Sequence, residues 1–347
     1  MDVISNYGLF LAKSITTIFT IAIILMLINN TLRKRQNVGQ LRLTNLNEKY
    51  HQIKKDIELA KMKPWMQKIY LKQNKKAEKQ KIKTEKSDTK RSIEKKDNPI
   101  LYVIEFKGSI KANEISSLRK EISAILMTAN IGDEVLLRLE SRGGLINAYG
   151  LAASQLQRLR DSGLYLTVAV DKIAASGGYM MACVANRIVA APFAIIGSIG
   201  VVAQIPNFNR LLKRKDIDVE LHTAGQYKRT LTLFGENTDT DREKFCENLN
   251  ETHQLFKTFV HQMRPSLDLE KVATGEHWYG RQALNLGLID DVSTSDSLLI
   301  EKMNNFTVLR VNYVQKHKMI NCVMNTVSQI VEQSILKIWY FKDKTIL

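Results

Sequence analysis

The chain has 347 residues and carries 51 lysines and arginines against 35 acidic residues, a formal net charge of +16. The excess belongs to the first 98 residues, where 22 basic side chains face 9 acidic ones; residues 99–347 hold 29 against 26. A uniformly basic nucleic-acid-binding domain is thereby excluded, and three scattered cysteines (Cys183, Cys246, Cys322) without CxxC spacing exclude a zinc ribbon and a disulfide framework.

Taken in chain order, Leu9–Ile28 is an apolar run broken only by Lys13, Ser14 and a few threonines. A helix of about 20 residues rises roughly 30 Å, enough to cross a hydrocarbon core, so residues 1–30 read as a transmembrane anchor. A cleaved signal peptide would need a basic start and a small-x-small site, and the run has neither. Arg33-Lys34-Arg35 follow at once, which by the positive-inside rule places the rest of the chain in the cytoplasm. Residues 31–98 read as a basic tether. Its first part, from Gly39 to Lys63, has helical spacing through Leu43, Leu46, Tyr50, Ile53 and Ile57. Its second part, Lys72–Asp97, has too few apolar residues to bury a core. Its lysines suit contact with anionic lipid headgroups.

The globular part, 99–310, starts near Pro99. Ile100–Phe106 reads as a strand, Ala112–Met127 as a helix and Glu134–Glu140 as a strand. Leu145–Leu159 reads as a helix and Tyr165–Val170 as a strand. A short helix over Gly177–Ala185 and a strand at Arg187–Ala190 follow. The alternation predicts an α/β domain with a largely parallel sheet and reactive groups at the carboxyl ends of strands. The apolar run Ile188–Ile205 reads as buried strand and turn, not as a second membrane span, because Pro192, Gly197, Ser198 and Gly200 interrupt it. Val219–His222 alternates like a strand. Asp239–Met263 reads as a long helix capped near Thr238. Residues 311–347 hold an amphipathic helix, Met319–Phe341, suited to packing, oligomer contact or a membrane interface.

Two glycine pairs fall at strand ends, Gly143-Gly144 and Gly177-Gly178, and Ser176 precedes the second. A serine on a strand-to-helix turn exposes its hydroxyl, and the free N–H groups behind it suit a developing oxyanion. Either pair alone also fits a plain βα turn. Lys228, in Gly225-Gln226-Tyr227-Lys228-Arg229, is a candidate base. An ordinary lysine is neutral in only about one molecule in 2,500 at pH 7; bringing it near neutrality takes about 4 kcal/mol of desolvation or like-charge repulsion. His222 competes as base and Cys183 as nucleophile, the first placed in a strand and the second inside a helix. The glycine pairs spell no phosphate loop or dinucleotide fingerprint.

The runs Ala174-Ala175-Ser176-Gly177-Gly178-Tyr179-Met180, Gly197-Ser198-Ile199-Gly200-Val201 and Gly225-Gln226-Tyr227-Lys228-Arg229 resemble the SppA family of signal peptide peptidases. So does the stretch Gly275-Glu276-His277-Trp278-Tyr279-Gly280-Arg281-Gln282-Ala283, closing in Gly287-Leu288-Ile289-Asp290. The likeness covers nearly the whole chain and is nearest to the single-domain, membrane-anchored kind of member. It implies a ClpP/crotonase-like fold of repeated ββα units. It also implies Ser176 as nucleophile, Lys228 as general base, Ser198 as the residue orienting the lysine, and Gly143 with Gly177 as oxyanion donors. No cofactor or metal is implied. The partners implied are a peptide or protein substrate, membrane lipid and further copies of the chain in a homo-oligomer. Where the family reads Ser-Pro-Gly-Gly this chain has Ser141-Arg142-Gly143-Gly144, which removes a fixed φ before the oxyanion loop and adds a charge. The expectation is a serine endopeptidase on a bacterial inner membrane. The family likeness puts its domain on the periplasmic side, against the charge rule. The rival readings are a crotonase-like acyl-CoA enzyme and a non-catalytic membrane scaffold.

Overall fold

The computed structural model describes residues 39–73 and 98–314, Gln226 excepted, together with Thr16, Thr17, Thr20 and Gln80. The expected span at 9–28, most of the Lys-rich tether and the expected helix at 319–341 lie outside the described residues. Within the described residues no helix is long and apolar enough to cross a membrane. Arg42–Asn312 form one compact unit; the other unit, 1–41 with 313–347, lies almost wholly outside the described residues.

The elements in chain order begin with β1 (Gln40–Asn45), α1 (Leu46–Lys61), β2 (Ile100–Gly108), α2 (Ile115–Thr128), β3 (Glu134–Ser141), α3 (Ile146–Asp161), β4 (Tyr165–Val170), β5 (Ile173–Ala175) and α4 (Gly177–Ala182). They continue with β6 (Arg187–Ala190), β7 (Ile195–Gly197), α5 (Asn209–Lys213), α6 (Asp239–Met263), α7 (Leu269–Val272), β8 (His277–Tyr279), α8 (Gly280–Asn285), β9 (Asp291–Val292), α9 (Ser295–Lys302) and β10 (Thr307–Val314). Strands β10-β2-β3-β4-β6-β9 lie side by side and parallel. A second layer branches from β3: β5 pairs β3 and β7 in parallel, and β7 pairs β8 antiparallel. The expected ββα repeat is present, complete in β4-β5-α4 and begun again in β6-β7.

The sheet is buried on both faces, as its near-continuous apolar strands require. Side chains alternate across a strand. Tyr102, Ile104 and Phe106 of β2 and Val135, Leu137 and Leu139 of β3 join the large core beneath α2, α3, α4 and α6. Leu101 and Val103, with Leu136, Val189 and Val308, form a smaller core against α1 and α9. Toward the strand ends this second face turns polar: Arg138 meets Glu105, Asp171 and Asp296, and Arg310 meets Glu105 at 2.6 Å.

Three readings need correction. The helical spacing from Gly39 holds only from Leu46, because Gln40–Asn45 is strand, and Asn45 then caps α1 by accepting from the Glu48 amide. Val219–His222 is irregular and exposed; its alternation finds no neighbouring strand to pair with. The helix after Ser176 stops at Ala182 and not at Ala185. By contrast α6 runs as read, opened by a capping box in which Thr238 and Asp241 exchange hydrogen bonds.

Asn47 ties α1 to the sheet: its amide donates to the Met303 and Phe306 carbonyls, and its oxygen accepts from the Val308 N–H at 2.7 Å. Val308 is fully buried, so truncation strands that amide away from water. Asn47→Ala is expected to lower the unfolding free energy by about 2 kcal/mol in urea titration, with an unchanged m-value.

Candidate active site

The register carries one line across the sheet ends, Gly108 to Ser141 to Ala174 to Ile196 and on to Trp278. The turn leaving β3 at Ser141 therefore lies beside the turn leaving β5 at Ala175, and these turns carry the two glycine pairs. Ser176 sits between β5 and α4 with φ 53 and ψ −121, a region non-glycine residues rarely enter and one that costs of order 1–3 kcal/mol. Two hydrogen bonds hold it there: its N–H donates to the Gly197 carbonyl at 2.8 Å, and its carbonyl accepts from the Met180 N–H at 3.0 Å. Its hydroxyl does not cap the helix. Ser176 is half-buried, while every residue of α4 behind it is buried. The strained turn thus presents an uncommitted hydroxyl on a rigid support.

The glycine pairs are more than turns. Gly143 adopts φ +85, and a Cβ there would lie 2.7 Å from the Gly177 nitrogen and 2.8 Å from the Ser176 Cβ. A Cβ on Gly177 would lie 2.5 Å from the Tyr149 ring, and one on Gly178 would lie 2.6 Å from the Ser141 carbonyl oxygen. The Gly143 backbone is therefore pressed against Ser176 and Gly177, and no side chain fits between them.

Ser198 joins the same cluster from the other side. It follows Gly197, whose carbonyl holds Ser176, and it too has positive φ, 50°. Its N–H donates to the Glu276 carbonyl at 2.7 Å, and Trp278 packs where a Gly197 Cβ would stand. The late stretch around His277-Trp278-Tyr279 thereby buttresses the Ser198 turn. The structure brings Ser176, Gly177, Gly143 and Ser198 together. It does not bring Lys228 to them within one chain: Lys228 is exposed in the irregular segment before α6, and among the described residues no hydrogen bond or ion pair joins it to the cluster.

The rival residues fall away. His222 is exposed and faces Glu220 at 3.1 Å. Cys183 is fully buried, its Sγ 3.2 Å from the Met180 carbonyl, and burial pushes its thiol far up, well away from the thiolate. Among the described residues no group of three histidines, cysteines or acids could hold a metal.

Sequence reasoning missed three residues next to the cluster. Ser141 Oγ accepts from the Gly143 N–H at 3.0 Å and lies 2.6 Å from the Tyr149 hydroxyl, which donates to the Ser109 carbonyl at 2.9 Å. Tyr149 also packs edge-on against Phe106. Beside this loop opens a cavity of about 360 Å³ lined by Lys107, Ile110, Glu114, Glu140, Arg142 and Ile173 among others.

Residues 2–156 match peptidase family S49 N-terminal and residues 158–308 match peptidase family S49. The chain is 51% identical over 343 residues to "Probable protease SohB" of Buchnera aphidicola subsp. Schizaphis graminum, covering 99% of both chains. It is 50% identical over 329 residues to "Probable protease SohB" of Haemophilus influenzae, covering 92% of this chain and 91% of the other. Among solved structures, the membrane-bound stomatin-specific protease 1510-N in complex with a substrate peptide aligns with 66% of this chain and 99% of its own. That alignment has a TM-score of 0.41 and 16% identity.

The two described cysteines should separate in reactivity. Cys246 is exposed and Cys183 buried, so brief alkylation of the folded protein is expected to modify the Cys246 peptide and leave the Cys183 peptide intact by mass spectrometry. Rapid modification of Cys183 would contradict the rigid, closed packing behind Ser176.

Proposed function

The chain belongs to peptidase family S49 and is a serine-type peptidase; we propose that it is a membrane-anchored endopeptidase working through a Ser176/Lys228 dyad. Ser176 Oγ attacks the scissile carbonyl carbon as its proton passes to the neutral amine of Lys228. The Gly143 and Gly177 amides take the negative charge on the carbonyl oxygen. Lys228 then delivers the proton to the leaving amine, and an ester on Ser176 remains. Water, deprotonated by Lys228, attacks that ester and restores the hydroxyl. Ser198, one residue beyond the carbonyl that fixes Ser176, orients the lysine. The observation that carries this reading is the strained, uncapped Ser176 packed directly on Gly143. A crotonase-like acyl-CoA enzyme would use the amides and leave such a hydroxyl without a role.

Lys228 needs cover from water to act as a base, and one chain leaves it exposed. The segment around it offers apolar surface to a second chain: Val202 is 91% exposed, and Phe208, Leu211, Ile217, Leu221, Tyr227 and Phe234 are exposed as well. Surface of that kind marks an interface. We therefore infer a homo-oligomer whose contacts cover Lys228 and complete the site. Substrates are small peptides or unfolded membrane-proximal segments such as signal-peptide remnants, held along the cleft by Gly143. Residues 9–28 anchor the chain in a bacterial inner membrane, and the lysines of the tether meet its lipid headgroups.

Ser176→Ala is expected to cut kcat by on the order of 10⁴-fold or more while the assembly persists in sedimentation; undiminished proteolysis would overturn the assignment. Val202→Asp, on the exposed apolar segment, is expected to dissociate the assembly and lower kcat at least about tenfold with normal circular dichroism. A fully active monomer would refute completion of the site by assembly.

A further inference from the structure

The Gly143 amide, assigned above to the oxyanion, already has an acceptor. Its N–H donates to Ser141 Oγ at 3.0 Å. The Tyr149 hydroxyl carries one proton, and the Ser109 carbonyl, which can only accept, takes it at 2.9 Å. The 2.6 Å contact between Ser141 Oγ and Tyr149 Oη must then be filled by the Ser141 proton. The direction of the chain is thereby fixed: Gly143 N–H to Ser141, Ser141 O–H to Tyr149, Tyr149 O–H to the Ser109 carbonyl. Ser141 is 2% exposed and Tyr149 is fully buried. Burial raises the Tyr149 pKa, so its hydroxyl keeps its proton near neutrality. Hydrogen bonds in such a chain polarise one another in series.

We propose that this chain is a latch on the oxyanion-binding amide, with Ser141 and Tyr149 as positioning residues whose acceptor the substrate oxyanion must displace. The proposal rests on the reading of Gly143 and Ser176 given above. The amide can change partner because Gly143 has no Cβ and adopts φ +85, a conformation from which a glycine can turn without a side-chain clash. Arg142, just before it, lacks the ring by which a proline would hold φ. The loop is otherwise anchored on both sides, by Ser141 in β3 and by the Leu145 N–H on the Ile110 carbonyl at 3.0 Å, so the freedom is confined to the amide itself.

A latch of this kind acts only when negative charge develops on the carbonyl oxygen, because the bound substrate does not claim the amide as strongly. Releasing it should therefore raise kcat and leave KM unchanged. Losing one neutral hydrogen bond corresponds to about a threefold to tenfold effect. Removing Ser141 Oγ also leaves a buried N–H without a partner, which drives the amide toward the oxyanion position. Tyr149→Phe keeps Ser141 and the ring packing but takes away the acceptor that polarises Ser141, so a smaller effect of the same sign is expected.

The test uses the full-length assembled protein, a peptide substrate and a peptide aldehyde. Ser176 Oγ adds reversibly to the aldehyde carbon as its proton passes to Lys228; the aldehyde oxygen takes the carbonyl electron pair and sits between the two amides, with no leaving group. Ser141→Ala is expected to raise kcat and tighten aldehyde inhibition by the same factor, about threefold to tenfold, at constant KM. If Ser141→Ala does not fold, Tyr149→Phe is read alone with the same expected direction. Unchanged or reduced kcat and aldehyde affinity at constant KM would overturn the latch. Failure of the aldehyde to inhibit the wild-type protein, or equal inhibition of Ser176→Ala, would instead overturn the active-site assignment beneath it.

Discussion

The approach of two backbone turns to within contact of one another is the constraint on which the rest depends. Strands β3 and β5 are paired in register at Ser141 and Ala174, so the turns that leave them must share the same small volume. Only glycine fits where they touch: Gly143 against Ser176 and the Gly177 nitrogen, Gly177 against the Tyr149 ring, Gly178 against the Ser141 carbonyl. That packing holds Ser176 in a backbone conformation it would not choose alone, with the Gly143 and Gly177 backbones pressed close to it. The cost of the strained residue is met by the hydrogen bond to Gly197 and by the fully buried helix behind.

The same constraint explains how the site is distributed along the chain. Ser176 depends on Gly197, Gly197 precedes Ser198, and the Ser198 amide is held by Glu276 in the loop before β8. With the Gly143 turn, three separate segments therefore support the turn that carries Ser176. Lys228 stands apart from them on a segment with much exposed apolar surface. The part of the site that needs rigidity is built into the core of one chain. The part that needs burial is left for assembly to supply.

Much of this was legible in the sequence, and what was hidden was hidden for physical reasons. The long strands β2, β3 and β4 and helix α6 show themselves through burial pattern and capping, because their side chains repeat over enough residues to set a period. Ser176 and both glycine pairs stood out because strand ends in such sheets collect reactive groups. Strands β5, β7 and β8 have three residues each, too few for any periodicity, and only the register reveals that they carry the site. Val219–His222 misled in the opposite sense, since alternation without a pairing partner makes no strand. Tyr149 lies inside an Ala- and Leu-rich helix, where nothing in the sequence marks it out. Its link to Gly143 runs through Ser141 and Ser109, 8 and 40 residues away, and no spacing rule connects such positions.

The central claim is that Ser176 is a nucleophile whose proton is taken by Lys228. A serine-directed acylating or phosphonylating probe, applied to the assembled protein and located by peptide mass spectrometry, tests it most directly. The account predicts a single adduct on the Ser176 peptide, formed by the wild-type protein and lost in Lys228→Ala although the assembly remains. An adduct on another serine, or labelling of Ser176 at an undiminished rate in Lys228→Ala, would contradict it.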